Sequence, residues 1–117
     1  MITSNSFAAE AHFNGRPYTP THYFMYEGKY IGSFIINEDS DGVGIWNLCI
    51  KEEYRGQGYG KLMMLEILMR FGHKPLYLFV YKDNEIALNL YESVGFKIFC
   101  EHDVYPAWGM GWRREDV

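Results

Sequence analysis

The spacing of apolar and polar positions changes character several times along the chain. From His22 to Tyr26, and again from Tyr30 to Ile36, apolar blocks flank Glu27-Gly28-Lys29, a pattern that predicts a hairpin. "NEDSDG", Asn37 to Gly42, is a strong turn signal, and "GIWNLCI", Gly44 to Ile50, predicts a third strand. The rhythm then becomes helical in "KLMMLEILMRFG", where Gly72 stands at the capping position. Only Lys61, Glu66 and Arg70 interrupt its apolar residues, so most of its surface is expected to be buried. Pro75 breaks the helix, and "LYLFVY", Leu76 to Tyr81, reads as a central strand.

"DNEIALNLYESVGF" predicts a second helix, capped by Asp83 or Asn84 and left through Gly95 in the left-handed conformation. Ile86, Leu90 and Val94 fall at i, i+4 and i+8 and form its expected core stripe. "FKIFCEH" and "WGMGWRR" are the last strands. Residues 1–21 have no clean period and read as an arm holding a short helix or an edge strand. The element order predicts an α/β sheet with an antiparallel front end and one crossover, not a doubly wound sheet.

Composition narrows the class. A chain of 117 residues with 48% apolar and 22% charged residues suits one globular domain, 1–117. The formal charge of −4 supplies no basic patch for nucleic acid. No apolar run reaches the ~20 residues that would cross a bilayer, so no membrane association is expected. The N-terminus lacks the basic and apolar regions of a signal peptide. Cys49 and Cys100 lie in apolar runs without metal-ligand spacing, which predicts buried reduced thiols, no metal and a cytoplasmic protein. Aromatics at 18% fit a sheet with aromatic faces, or an interface.

The chemistry concentrates in "YRGQGYGK", Tyr54 to Lys61. Glycine in a helix costs about 1 kcal/mol relative to alanine, yet Gly56, Gly58 and Gly60 alternate just where a helix begins. A strand, a glycine-rich turn and a helix N-terminus together form an anion site, because unpaired N–H groups and the helix dipole converge there. A phosphate loop of the G-x-x-x-x-G-K-S/T type does not fit: the spacing from Gly56 to Gly60 is too short, and Leu62 replaces the hydroxyl. The dinucleotide fingerprint G-x-G-x-x-G fails as well, at Lys61 and Met63.

The remaining pattern, Arg55-x-x-Gly58-x-Gly60, resembles the acetyl-CoA loop R/Q-x-x-G-x-G/A of the GNAT superfamily of N-acetyltransferases. A second segment, "NEIALNLYESVGF", is similar to that family's N-x-x-A-x-x-x-Y-x-x-x-G-F at Asn84, Ala87, Tyr91, Gly95 and Phe96. The resemblance covers roughly residues 22 to 113. It implies a mixed, mostly antiparallel sheet with about two main helices and a reduced N-terminal region. The implied activity is acetyl transfer from the cosubstrate acetyl-CoA to a primary amine, by direct attack in a ternary complex. The acceptor would be a small molecule or a protein. An acetyl-CoA-binding sensor with little activity is the alternative, and a structural protein with a vestigial loop is a third class.

On this reading, backbone N–H groups of Gln57, Gly58, Tyr59, Gly60 and Lys61, in the loop opened by Gly56, cradle a pyrophosphate. Arg55 and Lys61 add positive charge, although Arg55 also reads as an ordinary solvated arginine. The resemblance implies that Leu48, Cys49 and Ile50 offer a strand edge to the pantetheine amides. It gives Tyr91 the role of proton donor or hydrogen-bond donor to the departing sulfur, against the competing reading of a core tyrosine. Asn84 contacts the pantetheine arm, caps its helix, or does both. No carboxylate lies in "GVGIWNL", where some members of the family carry a base; Asp41, His22, Glu101 and His102 are within conceivable reach, and none is assigned. The chain departs from the family ahead of His22, where the acceptor wall is normally built. A large acceptor would suit the open side, or a second subunit would complete it through Trp108, Trp112 and their neighbours.

Overall fold

Glu27 (φ 51°) and Gly28 (φ 78°) both take positive φ and turn the chain between β2 (Thr21–Tyr26) and β3 (Lys29–Glu38). Two successive residues of this kind match the right-handed twist of a hairpin. At its far end β3 turns through an Asx loop: Asp39 Oδ1 accepts from the backbone N–H of Asp41 (2.8 Å) and Gly42 (3.0 Å). The chain re-enters the sheet as β4 (Val43–Ile50). These elements belong to a computed structural model that describes residues 2–7 and 21–116. Residues 2–7 form β1 (Ile2–Phe7), antiparallel to β2 at the sheet edge, so part of the N-terminal arm is the edge strand of the two options. The remainder of the arm, 8–20, lies outside the described residues.

After β4 come α1 (Tyr59–Phe71), β5 (Leu76–Tyr81), α2 (Glu85–Ser93), β6 (Lys97–Glu101) and β7 (Ala107–Trp112). The strand order in the seven-stranded sheet is β1-β2-β3-β4-β5-β7-β6. Neighbours pair antiparallel except β4 and β5, which α1 connects as a parallel crossover. The β5–α2–β6 connection is a second crossover, and it skips one strand position that β7 fills. The fold is therefore the mixed, mostly antiparallel α/β sheet with two helices that the sequence predicts, but with two crossovers where one was expected, because β6 pairs beyond β7 and not beside β5.

The core lies between one face of the sheet and the helices. Phe24, Phe34, Met64, Ile67, Leu76 and Met110 are fully buried in it. Trp112 is also buried, with its ring packed where a Cβ on Gly72 would sit, 3.0 Å away. It is thus spent within its own chain and is not a surface for a second subunit, whereas Trp108 is half-buried beneath the Lys82 ammonium at 4.2 Å. Gly72 caps α1 with an ordinary φ of −74°; close packing explains this glycine, not left-handed backbone.

Three expectations about burial are corrected. Helix α1 buries only Met63, Met64 and Ile67, while Leu65 (39% exposed) and Met69 (79%) face outward, because a single sheet face covers it. In α2, Ile86 is 86% exposed and drops out of the predicted stripe, whereas Leu90 packs against the core and Val94 is buried in it; Ala87 and Tyr91 widen the covered face on the other side. Strand β5 buries Leu76, Leu78 and Val80, but Phe79 and Tyr81 lie on an open outer face despite the continuous apolar run.

Candidate functional site

The sheet is not continuous across its middle. Strand β4 pairs with β5 only at Val43↔Leu76 and Gly44↔Tyr77, and the two strands part beyond these positions. The cause is local to β4. Asn47 takes a left-handed φ of 53°, and the β3–β4 register slips between the pairs Ile35↔Trp46 and Ser33↔Cys49. A bulge of this kind adds a residue to one strand, bends it and resets its alternation. Ile45 and Leu48, three apart, consequently both pack toward the core, where a regular strand would place them on opposite faces. Cys49 turns outward and is exposed, so it is not the buried thiol expected; Cys100 is half-buried.

The parted strands enclose a slot of about 400 Å³ that runs through the sheet. On the helix side it is bounded by Ile45, Leu48, Val80, Asn84, Ala87 and Tyr91. On the outer side stand Trp46, Phe79, Tyr81, His102 and Tyr105. Leu48 and Tyr91 also line a narrower groove of about 80 Å³ with Cys49, Ile50, Gly60 and Leu90. That groove leads from the slot to the first turn of α1. The fold thus brings Leu48, Cys49, Ile50, Gly60, Asn84 and Tyr91 to two neighbouring cavities that share Leu48 and Tyr91 as walls.

At the α1 end, Gly58 is the N-cap residue with φ 88°, and among the described residues no side-chain cap bonds the helix N-terminus. No acidic residue lies in the first turn, so the unpaired N–H groups keep their positive potential. Gly56 (φ 74°) and Gly58 are both left-handed, and a Cβ on either would meet nothing within 4 Å. Their glycine character is thus dihedral. Gly60 differs, since a Cβ there would lie 3.1 Å from Leu90 Cδ2, and its role is to let α1 approach α2. Arg55 Nε donates to the Ile50 carbonyl at 2.9 Å, and Gln57 Nε2 to the Glu53 carbonyl at 3.0 Å, which brace the loop from within. Tyr59 and Lys61 occupy the first turn, with Lys61 exposed.

The second motif resolves into a helix with two engineered-looking ends that are plain capping chemistry. Asn84 Oδ1 accepts from Ala87 N–H at 3.2 Å, a cap to the third helical residue. At the other end Gly95 (φ 108°) donates to the Glu92 carbonyl and Phe96 N–H to the Tyr91 carbonyl, a Schellman pair. The Tyr91 and Phe96 rings, 6.0 Å apart, supply its apolar contact. Burial pushes the Tyr91 phenol up to about 12. It is a neutral hydroxyl at any working pH.

The four base candidates separate cleanly. Asp41 belongs to the turn before Val43, at the closed end of the β4–β5 pair. His22 is 9% exposed, stacked on Phe34 at 5.2 Å, and burial followed by the nearby Arg70 charge holds its pKa below the ordinary value. Glu101 is paired with Lys82 at 2.8 Å. Only His102 reaches the slot, and its Nδ1 accepts from the N–H groups of Val104 (3.0 Å) and Tyr105 (3.1 Å). The tautomer that satisfies both places the ring proton on Nε2, which makes it a donor.

A model of the acetyltransferase (GNAT) family matches residues 3–96. The chain belongs to that family. Among curated relatives, the spermine/spermidine N(1)-acetyltransferase of Bacillus subtilis is 29% identical over 108 residues, covering 82% of this chain and 68% of that protein. An uncharacterized N-acetyltransferase of the same organism is 29% identical over 113 residues, covering 87% of this chain and 45% of its own length. The chain spans less than half the length of some of the curated relatives it matches. Among solved structures, a GNAT family acetyltransferase from Elizabethkingia anophelis with acetyl-CoA bound shares the fold with a TM-score of 0.75 at 17% identity, covering 96% of this chain and 97% of that one. The acetyltransferase motifs predicted from sequence therefore sit on the acetyltransferase fold. Sequence reasoning missed Asn47 and the outer rings Trp46, Phe79, Tyr81 and Tyr105. A usable signal was present in the alternation of glycines in "WGMGW" with the aromatics of "YLFVY": Gly109 lies 3.2 Å from the Phe79 ring when a Cβ is placed on it.

Proposed function

We propose that the protein transfers an acetyl group from acetyl-CoA to a primary amine by direct attack in a ternary complex. The slot through the sheet, joined by a groove to the N-terminus of α1, carries this reading. A long thin cosubstrate suits the groove, and a separate acceptor can approach the same reactive centre from the outer face. Backbone N–H groups at Gln57, Gly58, Tyr59, Gly60 and Lys61 hold the pyrophosphate, with Arg55 and Lys61 adding charge. The edge of β4 at Leu48, Cys49 and Ile50, unpaired by β5, offers hydrogen bonds to the pantetheine amides and to the acetyl oxygen. Asn84 borders the slot while serving as a helix cap.

In the reaction the amine nitrogen bonds the acetyl carbon, the C–S bond breaks, and its electron pair leaves on sulfur. One amine proton is lost to solvent and the thiolate is protonated in turn. A phenol raised to about 12 is a weaker acid than an ordinary thiol near about 8.5. Tyr91 accordingly acts by hydrogen-bonding the departing sulfur, and water completes the protonation.

The test is the thermal unfolding midpoint with acetyl-CoA, against ATP and NAD at equal concentration. At 100 times its dissociation constant acetyl-CoA adds about 2.7 kcal/mol, a rise on the order of 10 °C. No rise with acetyl-CoA, or equal rises with all three, overturns the proposal. The absence of a carboxylate among the described slot residues favours a second reading, an acetyl-CoA sensor; it predicts the same rise without CoA release in the presence of amines.

A further inference from the structure

The outer mouth of the slot is ringed by aromatic side chains in unbroken contact. The Trp46 and Phe79 rings are 6.2 Å apart, Phe79 and His102 4.9 Å, His102 and Tyr105 5.0 Å, and Tyr105 and Tyr81 6.5 Å. Four of the five are open to solvent: Trp46 is 47% exposed, Phe79 43%, Tyr81 54% and Tyr105 56%. Among the described residues that line the slot, none is a carboxylate, a lysine or an arginine. We propose that the acceptor is a monoamine with an aromatic body, which stacks in this belt and delivers its amino group through the slot to the acetyl carbon. This rests on the transfer reading above and specifies its substrate class.

Two physical points select this class. Offset and edge-on aromatic pairs contribute about 0.5–1.5 kcal/mol beyond the area they bury. A flat ring entering the belt gains several such contacts, whereas an alkyl chain gains area alone. A polyamine would bring a second ammonium, and the slot residues offer it no carboxylate. The same absence of charge addresses the missing base. Ring faces attract an ammonium at the exposed mouth, but desolvation deeper in the uncharged slot penalises it relative to the free amine. Desolvation thus favours release of the proton before attack, and the proton goes to water at the exposed mouth. His102 takes no part in accepting it, because its Nδ1 lone pair is committed to two backbone N–H groups. Its ring serves to hold the loop carrying Tyr105 against Phe79.

The experiment compares 2-phenylethylamine and tryptamine with n-butylamine, spermidine and a peptide N-terminus in a CoA-release assay on the full chain. Acetyl-CoA binding is established first by thermal shift, so loss of that binding strikes the transfer reading and not the acceptor class. Expected is a kcat/KM for the aromatic amines at least ten-fold above that for n-butylamine and spermidine. Trp46→Ala and Phe79→Ala should each raise KM for 2-phenylethylamine by about ten-fold, with the acetyl-CoA dissociation constant within two-fold of the parent. Both positions are solvent-exposed, so the unfolding midpoint checks that the variants remain folded. With acetyl-CoA binding intact, preference for spermidine or the peptide, equal use of n-butylamine, turnover of none, or unchanged KM in both variants overturns the proposal.

Discussion

Arg55 donates through Nε to the Ile50 carbonyl at 2.9 Å, tying the glycine loop to the last residue of β4. On the proposed function, the loop and the strand edge are two halves of one cosubstrate site, and this bond sets the distance between them. Arg55→Ala removes both the tie and the charge. It should weaken acetyl-CoA binding about ten-fold, or roughly 1.4 kcal/mol, in line with a charge-assisted hydrogen bond. Arg55→Lys keeps the charge and should recover part of the loss. Isothermal titration decides; equal affinities for parent and alanine variant would leave Arg55 a solvated side chain.

The loop glycines should separate into two kinds. Gly58→Ala places a Cβ in open space but at φ 88°, a backbone state that costs a non-glycine residue about 1–2 kcal/mol. Gly60→Ala carries no left-handed backbone strain but meets Leu90 at 3.1 Å, so it should instead push α1 from α2. Urea unfolding should show Gly58→Ala destabilised by about 1 kcal/mol. In Gly60→Ala the deficit should shrink when Leu90 is also made smaller, as in Leu90→Val; no such coupling would argue against the packing role.

Tyr91→Phe should lower kcat at least ten-fold and leave acetyl-CoA affinity within a few-fold, as steady-state kinetics and titration would report. Tyr91 also makes a pH prediction. Its phenol is raised from 10.0 to about 12 by burial, so the native state holds this proton more tightly than the unfolded chain. The associated stability is intact below pH 10 and is lost as pH rises toward 12. The full span is worth about 2.7 kcal/mol for two pK units. The difference in unfolding free energy between parent and Tyr91→Phe, followed from pH 8 to 12, should change by an amount of this order.

His22 predicts the opposite limb. Burial, and secondarily the Arg70 charge, lowers its pKa, and its Nδ1 has no hydrogen-bond partner. The unfolded chain therefore binds this proton first. Stability is fully present above the unfolded value near about 6.5 and declines as pH falls through the lower folded value. His22→Phe should flatten the stability profile below about pH 6.5 while keeping the stack on Phe34. An unchanged acid limb would place the titration elsewhere.

Much of this was legible in the chain because the relevant residues act locally. The Glu27-Gly28 turn, the Asp39 loop, and the Asn84 and Gly95 caps each follow from the conformational demands of a few adjacent residues, and the structure has each of them. The parting of β4 from β5 was not legible. It depends on one left-handed asparagine in a strand whose composition is otherwise regular, and on where β5 ceases to pair. Missing the bulge carried through to Cys49, which simple alternation and apolar neighbours assigned to the core. Ile86 failed for a related reason: three positions at helical spacing define a stripe, but only the neighbouring sheet decides which side of it is covered.

Setting the rings on the outer face has an evolutionary consequence. Trp46 and Phe79 are 47% and 43% exposed, whereas Ile45 and Val80 beside them in sequence are 3% and 4% exposed. Exchanging the former alters recognition at little thermodynamic cost, since surface substitutions mostly fall within about ±0.5 kcal/mol. Exchanging the latter would open the core. A lineage can drift toward new acceptors on one side of a wall while foldability and cosubstrate use remain under purifying selection on the other.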